Sequence, residues 1–314
     1  MSQSINMSGL PFLNMDNAVR RPSANDNATE PPSKKRKVVS HSQRITGEQF
    51  VSRLAVTQEK ADIISNYEQK SEDWLDARKG RITASNFGSA IGKNKYQSRR
   101  GLLKQMLWHT FRGCAATRWG CEKEEVALDV YVNTKQIDIA SAAMVADLEN
   151  ATDEEKDEIV TDLWVEERGL VINPERPWMG NSPDGIVHTT YASGRKELAL
   201  LEIKCPFKKT FYPPEPEPPN YPVPPQYMCQ IQGTMGNLGL PWCDFVVWTP
   251  TETQITRVPF DPNFWNDIML PGLTDYYFND YVPAAVNQEN GLLEDGETEI
   301  AIDIDLRTTQ QSYF

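Results

Sequence analysis

Ser182-Pro183-Asp184-Gly185-Ile186-Val187, followed by Leu200-Leu201-Glu202-Ile203-Lys204-Cys205-Pro206-Phe207, is the stretch whose reading decides the fold. Pro183 and Gly185 bracket Asp184, which places that carboxylate in a turn leading into a strand that begins at Ile186-Val187. Gly194 marks a second turn, and Ala199 to Ile203 reads as a strand rich in Leu and Ile. Side chains alternate faces along a strand, so Glu202 and Lys204 share one face and Leu201 and Ile203 the other. Two strands joined by a turn bring Asp184 beside Glu202. Two carboxylates and an ammonium then converge at one end of the pair.

That convergence suits a defined chemistry. Cleaving a phosphodiester takes a nucleophilic water near neutral pH and positive charge on the phosphorane-like transition state. Mg²⁺ favours hard oxygen ligands, commonly one or two carboxylates with waters and substrate phosphate. Two such ions about 3.5–4 Å apart stabilise the attacking and the leaving oxygen together. Asp184 and Glu202 are the expected ligands, with the Ile203 carbonyl as a further one; Lys204 orients the water or balances the phosphate charge. Acid-x-Lys on a strand is common, and Pro-Asp-Gly is an ordinary turn. Their combination, 18 residues apart and followed by Cys-Pro-Phe, is far more specific.

In these residues the chain resembles the PD-(D/E)xK nucleases, and within them the YqaJ-like viral recombinase and phage lambda exonuclease branch. The resemblance covers Trp74 to Pro250 in blocks: Trp74-Leu75-Asp76-Ala77-Arg78 with Gly80 and Ile82-Thr83-Ala84-Ser85; Trp119-Gly120 with Glu124, Ala127 and Tyr131; the two motifs quoted above; and Gln226-Tyr227-Met228-Cys229-Gln230-Ile231-Gln232. It implies an α/β (α+β) fold with a restriction-endonuclease-like core, a central mixed β-sheet flanked by helices. It also implies an exonuclease that uses Mg²⁺, or Mn²⁺, as two ions and acts 5′→3′ on double-stranded DNA ends in recombination or replication. Asp184, Glu202 and Glu124 are then metal-site acids and Lys204 the catalytic lysine, with Tyr227 and Gln230 lining the site. Arg78 contacts a terminal 5′ phosphate, with Ser85 and Ser182 as hydroxyl donors. Lys208 and Lys209 extend the basic character. A homo-oligomer, a ring-shaped trimer in some relatives, and a single-strand annealing protein are the implied partners. The prolines of 211–225 depart from the phage pattern and put the DNA path beside them in question. An endonuclease on the same core and a catalytically silent binding module are the alternatives.

The net charge of −12 runs against DNA binding until it is resolved along the chain. Residues 1–110 carry a balance of +8 and residues 111–314 one of −20. From Ala77 to Cys121 there is no acid, against ten Lys and Arg, which makes that stretch the expected phosphate footprint. Trp74, Tyr96, Trp108 and Trp119 flank or interleave it; some are candidates for base stacking, and more are expected in the core. Five cysteines without a C-x-x-C pair and three histidines argue against a zinc site and for reduced thiols. No apolar stretch approaches the ~18 residues of a membrane span, and no secretory signal pattern opens the chain.

Residues 1–45 are polar and irregular, an expected disordered tail. Within them, Arg20-Arg21, then Lys34-Lys35-Arg36-Lys37 after Pro31-Pro32, has the form of a bipartite nuclear-import signal, which implies a eukaryotic host; a tail touching DNA non-specifically, in a cytoplasmic protein, is the alternative. The catalytic domain is expected over 46–288, with an acidic insertion around 138–163 read as a solvated helix and an acidic tail over 289–314. Helices are expected over Gly47–Ser65, Arg99–Phe111 and Glu122–Val132, the last with Glu124, Ala127, Leu128 and Tyr131 on one face. Trp164-Val165 through Val171-Ile172, Trp242–Trp248 and Ile255–Val258 read as strands. Phe264–Val286 reads as a closing helix broken near Pro271-Gly272.

Overall fold

A computed structural model describes residues 40, 43–108, 114–208, 211, 223–294 and 296. The import-like cluster, Lys209 and most of the proline-rich segment lie outside the described residues. The N-terminal half supplies α1 (Gly47–Ser52), α2 (Gln58–Ser65), α3 (Glu72–Arg78), β1 (Ile82–Thr83), α4 (Phe87–Ala90), α5 (Arg99–Trp108) and α6 (Ala115–Val145). The expected single helix over Gly47–Ser65 is two helices, because Thr46 and Thr57 each accept a backbone N–H and start their own turn. Helix α6 is far longer than Glu122–Val132. Its C-terminal extension, residues 133–145, holds neither Gly nor Pro, and the Thr134 and Ser141 hydroxyls bond back to the carbonyls of Val130 and Ile137. The acidic stretch is thus the exposed end of α6 followed by the short α7 (Asp153–Glu158).

The strands β2 (Val160–Glu166), β3 (Met179–Gly180), β4 (Gly185–Tyr191), β5 (Lys196–Lys204), β6 (Trp242–Trp248) and β7 (Thr253–Pro259) follow, with α8 (Pro225–Leu238) between β5 and β6. Five of them form a mixed sheet in the order β2-β4-β5-β6-β7, in which only β5-β6 is parallel. That parallel pair needs a crossover, and α8 supplies it. The expected strand from Trp164 to Ile172 starts earlier and ends at Glu166. Val171 instead makes an isolated bridge to Asn181, and Ile172 packs with Ile64 and Leu170.

Alternation on β5 and β6 gives the sheet two apolar faces. Leu200, Cys243, Phe245 and Val247 pack under Ile231 and Met235 of α8. Ala199, Leu201, Ile203 and Val246 pack under Ala127 and Tyr131 of α6. A third core joins α1, α4 and α5 to the C-terminal helical segment. That segment runs through Pro271 and Gly272 without the expected break. It consists of a π-helical stretch over Phe264–Met269, then α9 (Leu270–Asp275), a second π-helical stretch over Tyr276–Tyr281, and α10 (Val282–Glu289). Pro271 and Pro283 each stand two residues beyond a π-helical stretch. The widened turns accommodate a residue that donates no N–H and whose ring would crowd the carbonyl four residues back in a regular helix. At the ends of the domain the Asn290 side chain hydrogen-bonds the Ile45 backbone N–H and carbonyl at 2.9 and 3.0 Å.

Candidate active site

The site is built by the register of β4 on β5. Gly185 pairs with Leu201, so Asp184, one residue earlier, falls beside Glu202. Gly185 is required by space, since a Cβ there would stand 2.4 Å from Val165 Cγ1. Asp184 Oδ2 accepts the Ile203 N–H at 2.6 Å and lies 3.9 Å from Lys204 Nζ. Glu202 is 1% exposed and sits on the α8 face of the sheet. It accepts from Lys204 Nζ and, at 2.5 Å, from Gln230 Nε2 of α8. The Lys204 ammonium lies 5.3 Å from the centre of the Tyr227 ring. Glu124 comes from α6 and faces Asp184, while Glu122 and Glu125 of the same turn are exposed.

Two clefts of about 650 and 680 Å³ share Cys121, Glu124, Asp184 and Ile203 as a common wall. Lys70 and Arg168 line one of them; Lys204, Phe207, Lys208 and Tyr227 line the other. Glu124 and Asp184 therefore stand where the two clefts meet, a place a polymer strand can cross from either side, with Glu202 buried behind them.

Burial raises the pKa of Glu124, and the Asp184 charge raises it further. Burial raises Glu202 as well; Lys204 pulls it back, and Asp184 and Glu124 push it up again. Burial alone would lower Lys204, but Glu202 and Asp184 outweigh that and hold it protonated. The described residues contain no ready-made group of three or more His, Cys, Asp or Glu in a metal-binding arrangement, since Glu202 is turned to Lys204 and Gln230. The donor set is nonetheless all oxygen, and burial together with neighbouring negative charge works against ionising Glu124 and Glu202. A hard divalent cation relieves both, so these residues fit one.

This has a measurable consequence. A carboxyl whose folded pKa is raised stabilises the fold at low pH, and that stability is lost as pH climbs from the ordinary carboxylate range near ~4.3 through the raised value. Metal competes with the same protons. Mg²⁺ is expected to raise the melting temperature more at pH 8 than at pH 6, and most of that difference should vanish in Glu124→Gln. Equal Mg²⁺ shifts at the two pH values in the parent would contradict it.

Arg78, at the end of α3, forms the second element. Its guanidinium lies 4.1 Å over the Trp74 ring and donates to Ser182 Oγ and Thr83 Oγ1, both at 3.3 Å. Ser182 also accepts from Trp74 Nε1 at 3.2 Å. Burial lowers the Arg78 pKa to about 10, and among the described residues no carboxylate lies within ion-pair distance of it. A desolvated guanidinium held only by hydroxyls and a ring, two residues in sequence from Asp184 through Ser182, is a prepared anion site. Ser85, expected beside it, is exposed in a single 3₁₀ turn, and Thr83 makes the hydroxyl contact instead.

Of the expected basic footprint, Arg99 is engaged by Asp275 and Asp280 at 2.8 and 2.7 Å, Lys79 by Asp76, and Arg81 by the backbone carbonyls of Ala77 and Leu54. Lys93 and Lys95 remain exposed beside the exposed Tyr96. All five cysteines are free, and among the described residues no helix is long and apolar enough to cross a membrane. Sequence reading passed over Gln69, Lys70 and Thr83 at the site. It also passed over the buried group formed by Asp244 with Tyr131, Lys135 and Arg257.

A family model, the YqaJ-like viral recombinase domain, matches residues 73–239, more than half of the chain. The protein belongs to that family. Among solved structures, an alkaline exonuclease (LHK-Exo) from Laribacter hongkongensis is similar at 24% identity and a TM-score of 0.48, over 69% of this chain and 95% of that one. The same exonuclease in complex with dAMP is similar at 23% identity, with the same TM-score and coverage. No curated protein matches the chain.

Proposed function

We propose that the protein is a metal-dependent deoxyribonuclease of the PD-(D/E)xK type that degrades duplex DNA from 5′ ends in viral-type recombination or replication. The observation that carries this is the gathering of Glu202 and Lys204 beside Glu124 and Asp184, which stand at the junction of two clefts, with the half-buried Arg78, which has no carboxylate partner among the described residues, hydrogen-bonded to Ser182, two residues before Asp184. A divalent cation, Mg²⁺ or Mn²⁺, held by Asp184, Glu202, Glu124 and the Ile203 carbonyl would supply the charge that activates water and neutralises the scissile phosphate. The chain's own groups do the rest. Lys204, kept protonated, donates to the attacking water or to a phosphate oxygen and cannot act as a base. Gln230 fixes the orientation of Glu202, and Tyr227 packs on the ammonium. Arg78 grips a terminal phosphate with its planar fork, which selects an end over an internal site. Lys208 offers a further phosphate contact on the far side of the acids.

Duplexes labelled at the 5′ or the 3′ end, incubated with and without Mg²⁺, test this reading. The expected result is Mg²⁺-dependent release of 5′ nucleotides, faster from phosphorylated than from hydroxyl ends, with supercoiled circles left intact. Arg78→Ala should erase the phosphate preference, and Arg78→Lys should restore only part of it. Cleavage of the circle would favour the endonuclease reading, and inertness with every divalent metal the binding-module reading.

The basic cluster suggests where this activity is used. Residues 16–40 fused to a reporter are expected to carry it into nuclei, and neutralising Lys34, Lys35, Arg36 and Lys37 should stop it. Unchanged nuclear accumulation after that substitution would count against import. Assembly as a trimer and pairing with a single-strand annealing protein remain proposals drawn from the family, and sedimentation of the full chain tests the first.

A further inference from the structure

Lys70 has a φ of +75°, and among the described residues it is the only one other than glycine with a positive φ. An L-residue in this region crowds its Cβ against the backbone, whereas glycine adopts it freely. The surrounding packing enforces it. The Gln69 side chain donates to the carbonyls of Arg168 and Pro183 at 2.8 and 3.1 Å, which ties the turn to the same loop that carries Asp184. Gly169 N–H donates to the Ser65 carbonyl at 2.7 Å. A Cβ at Gly169 would lie 2.1 Å from the Tyr67 carbonyl oxygen, so the two segments meet backbone to backbone. On the other side the Ser71 hydroxyl accepts the Trp74 N–H and starts α3. The turn is clamped at both ends, and strain in an over-determined turn beside an active site points to a task for the residue that bears it.

The position of the side chain supplies the task. Lys70 lines the cleft that also holds Glu124 and Asp184. Five acids line that cleft, Glu68, Glu124, Glu125, Glu167 and Asp184, against two cations, Lys70 and Arg168. Arg168 is engaged by Glu166 at 2.7 Å and Ser65 at 3.1 Å. Lys70 is exposed and, among the described residues, has no carboxylate within ion-pair distance. A polyanion crossing this acidic wall needs a cation there, and Lys70 is the one left to meet it. Lys204 and Lys208 serve the other cleft, beyond the shared wall of Glu124 and Asp184. Lys70 also precedes the residues matched by the family, 73–239, so membership does not account for it.

We propose that Lys70 binds a backbone phosphate of the DNA strand next to the scissile one, on the opposite side of the acid cluster from Lys208. This rests on the nuclease reading above. The left-handed backbone is what aims the ammonium into the cleft, so stability is lost for the sake of substrate binding.

Lys70→Gly removes the charge and relieves the backbone, and Lys70→Arg keeps the charge. With the full-length protein, duplex affinity is measured across a salt series with Ca²⁺ in place of Mg²⁺, and cleavage is measured with Mg²⁺. Lys70→Gly is expected to melt above the parent yet bind DNA more weakly. Its slope of log affinity against log salt should be smaller by about 0.9, the loss of one phosphate contact on duplex DNA. KM should rise by a larger factor than kcat falls, and Lys70→Arg should recover the parental slope. A purely structural role predicts the reverse pattern, an unchanged slope with altered melting alone, and that outcome in a parent that cleaves DNA overturns this proposal while leaving the nuclease reading intact. A parent that neither binds nor cleaves duplex overturns both.

Discussion

Lys204→Ala is expected to reduce Mg²⁺-supported cleavage by about a thousandfold or more in a protein that still folds, a loss on the scale of removing one well-placed transition-state donor. The fold survives because the Lys204 side chain is 21% exposed, and because Glu202, left without its partner, takes up a proton, as its raised pKa already favours. Asp184→Asn and Glu202→Gln should be as inactive, since each removes an oxygen charge that the metal and its water require. The Glu202→Gln protein has a further signature. Glu202 is buried against Asp184 and Glu124, so the metal-free variant should melt above the metal-free parent while responding less to Mg²⁺. Single-turnover cleavage with melting curves at matched metal concentration measures both. A folded Lys204→Ala protein that keeps activity within tenfold of the parent would remove Lys204 from the mechanism.

The geometry behind this expectation was legible because it depends on short-range rules. Period-two alternation put Glu202 and Lys204 on one face, and a Pro-Asp-Gly turn put Asp184 at the start of the neighbouring strand; the register of Gly185 on Leu201 completes it. Glu124 was singled out from Glu122 and Glu125 by the family resemblance, while helical spacing gave only the face it shares with Ala127 and Tyr131, both fully buried. Lys70 was not legible. Nothing in Glu68-Gln69-Lys70-Ser71 announces a left-handed residue, and only the contacts of Gln69 with Arg168 and Pro183, about a hundred positions along the chain, impose it. Thr83 was displaced by Ser85 in the reading because both hydroxyls follow Arg78 closely, and only the 3₁₀ turn decides which one faces it.

The fold shows the same division. The strand Trp242–Trp248 was plain as a segment apolar at every position but Asp244. The edge strand β2 was misjudged because an edge has one paired neighbour and a half-exposed face, which dilutes the apolar signal; Val171 and Ile172 lent theirs from outside it. The C-terminal segment was expected to break at Pro271, the usual effect of proline in a helix. Widened turns on the N-terminal side of Pro271 and Pro283 let it continue, a tertiary solution with no local sequence sign.

Asp244 carried a sequence sign that was passed over: a lone acid inside Trp-Cys-Asp-Phe-Val-Val-Trp has to be paired if that strand is buried. It is 0% exposed. Arg257, its cross-strand neighbour, donates to it through Nε at 2.9 Å and Nη2 at 3.1 Å, and from α6 come the Tyr131 hydroxyl at 2.9 Å and Lys135 at 3.2 Å. Burial works to raise its pKa, but Arg257 and Lys135 outweigh that and hold it below the ordinary carboxylate range. Asp244→Ala is expected to cost about 3 kcal/mol in urea unfolding, the lower end for breaking a buried ion pair, because Arg257 is half-exposed and can return to water. A folded pKa held below the unfolded value contributes stability that is present above ~3.9 and lost as pH falls through the folded value, so parent and variant should converge below about pH 4. The damage should also reach the active site, because Tyr131 and Lys135 anchor the helix that presents Glu124. Tyr131→Phe, which keeps the packing and removes only the hydroxyl, should cost less in stability and should weaken the Mg²⁺-induced rise in melting temperature. If Asp244→Ala lowers stability by less than 1 kcal/mol at pH 7, the group does not hold α6 to the sheet, and Glu124 owes its position to apolar packing alone.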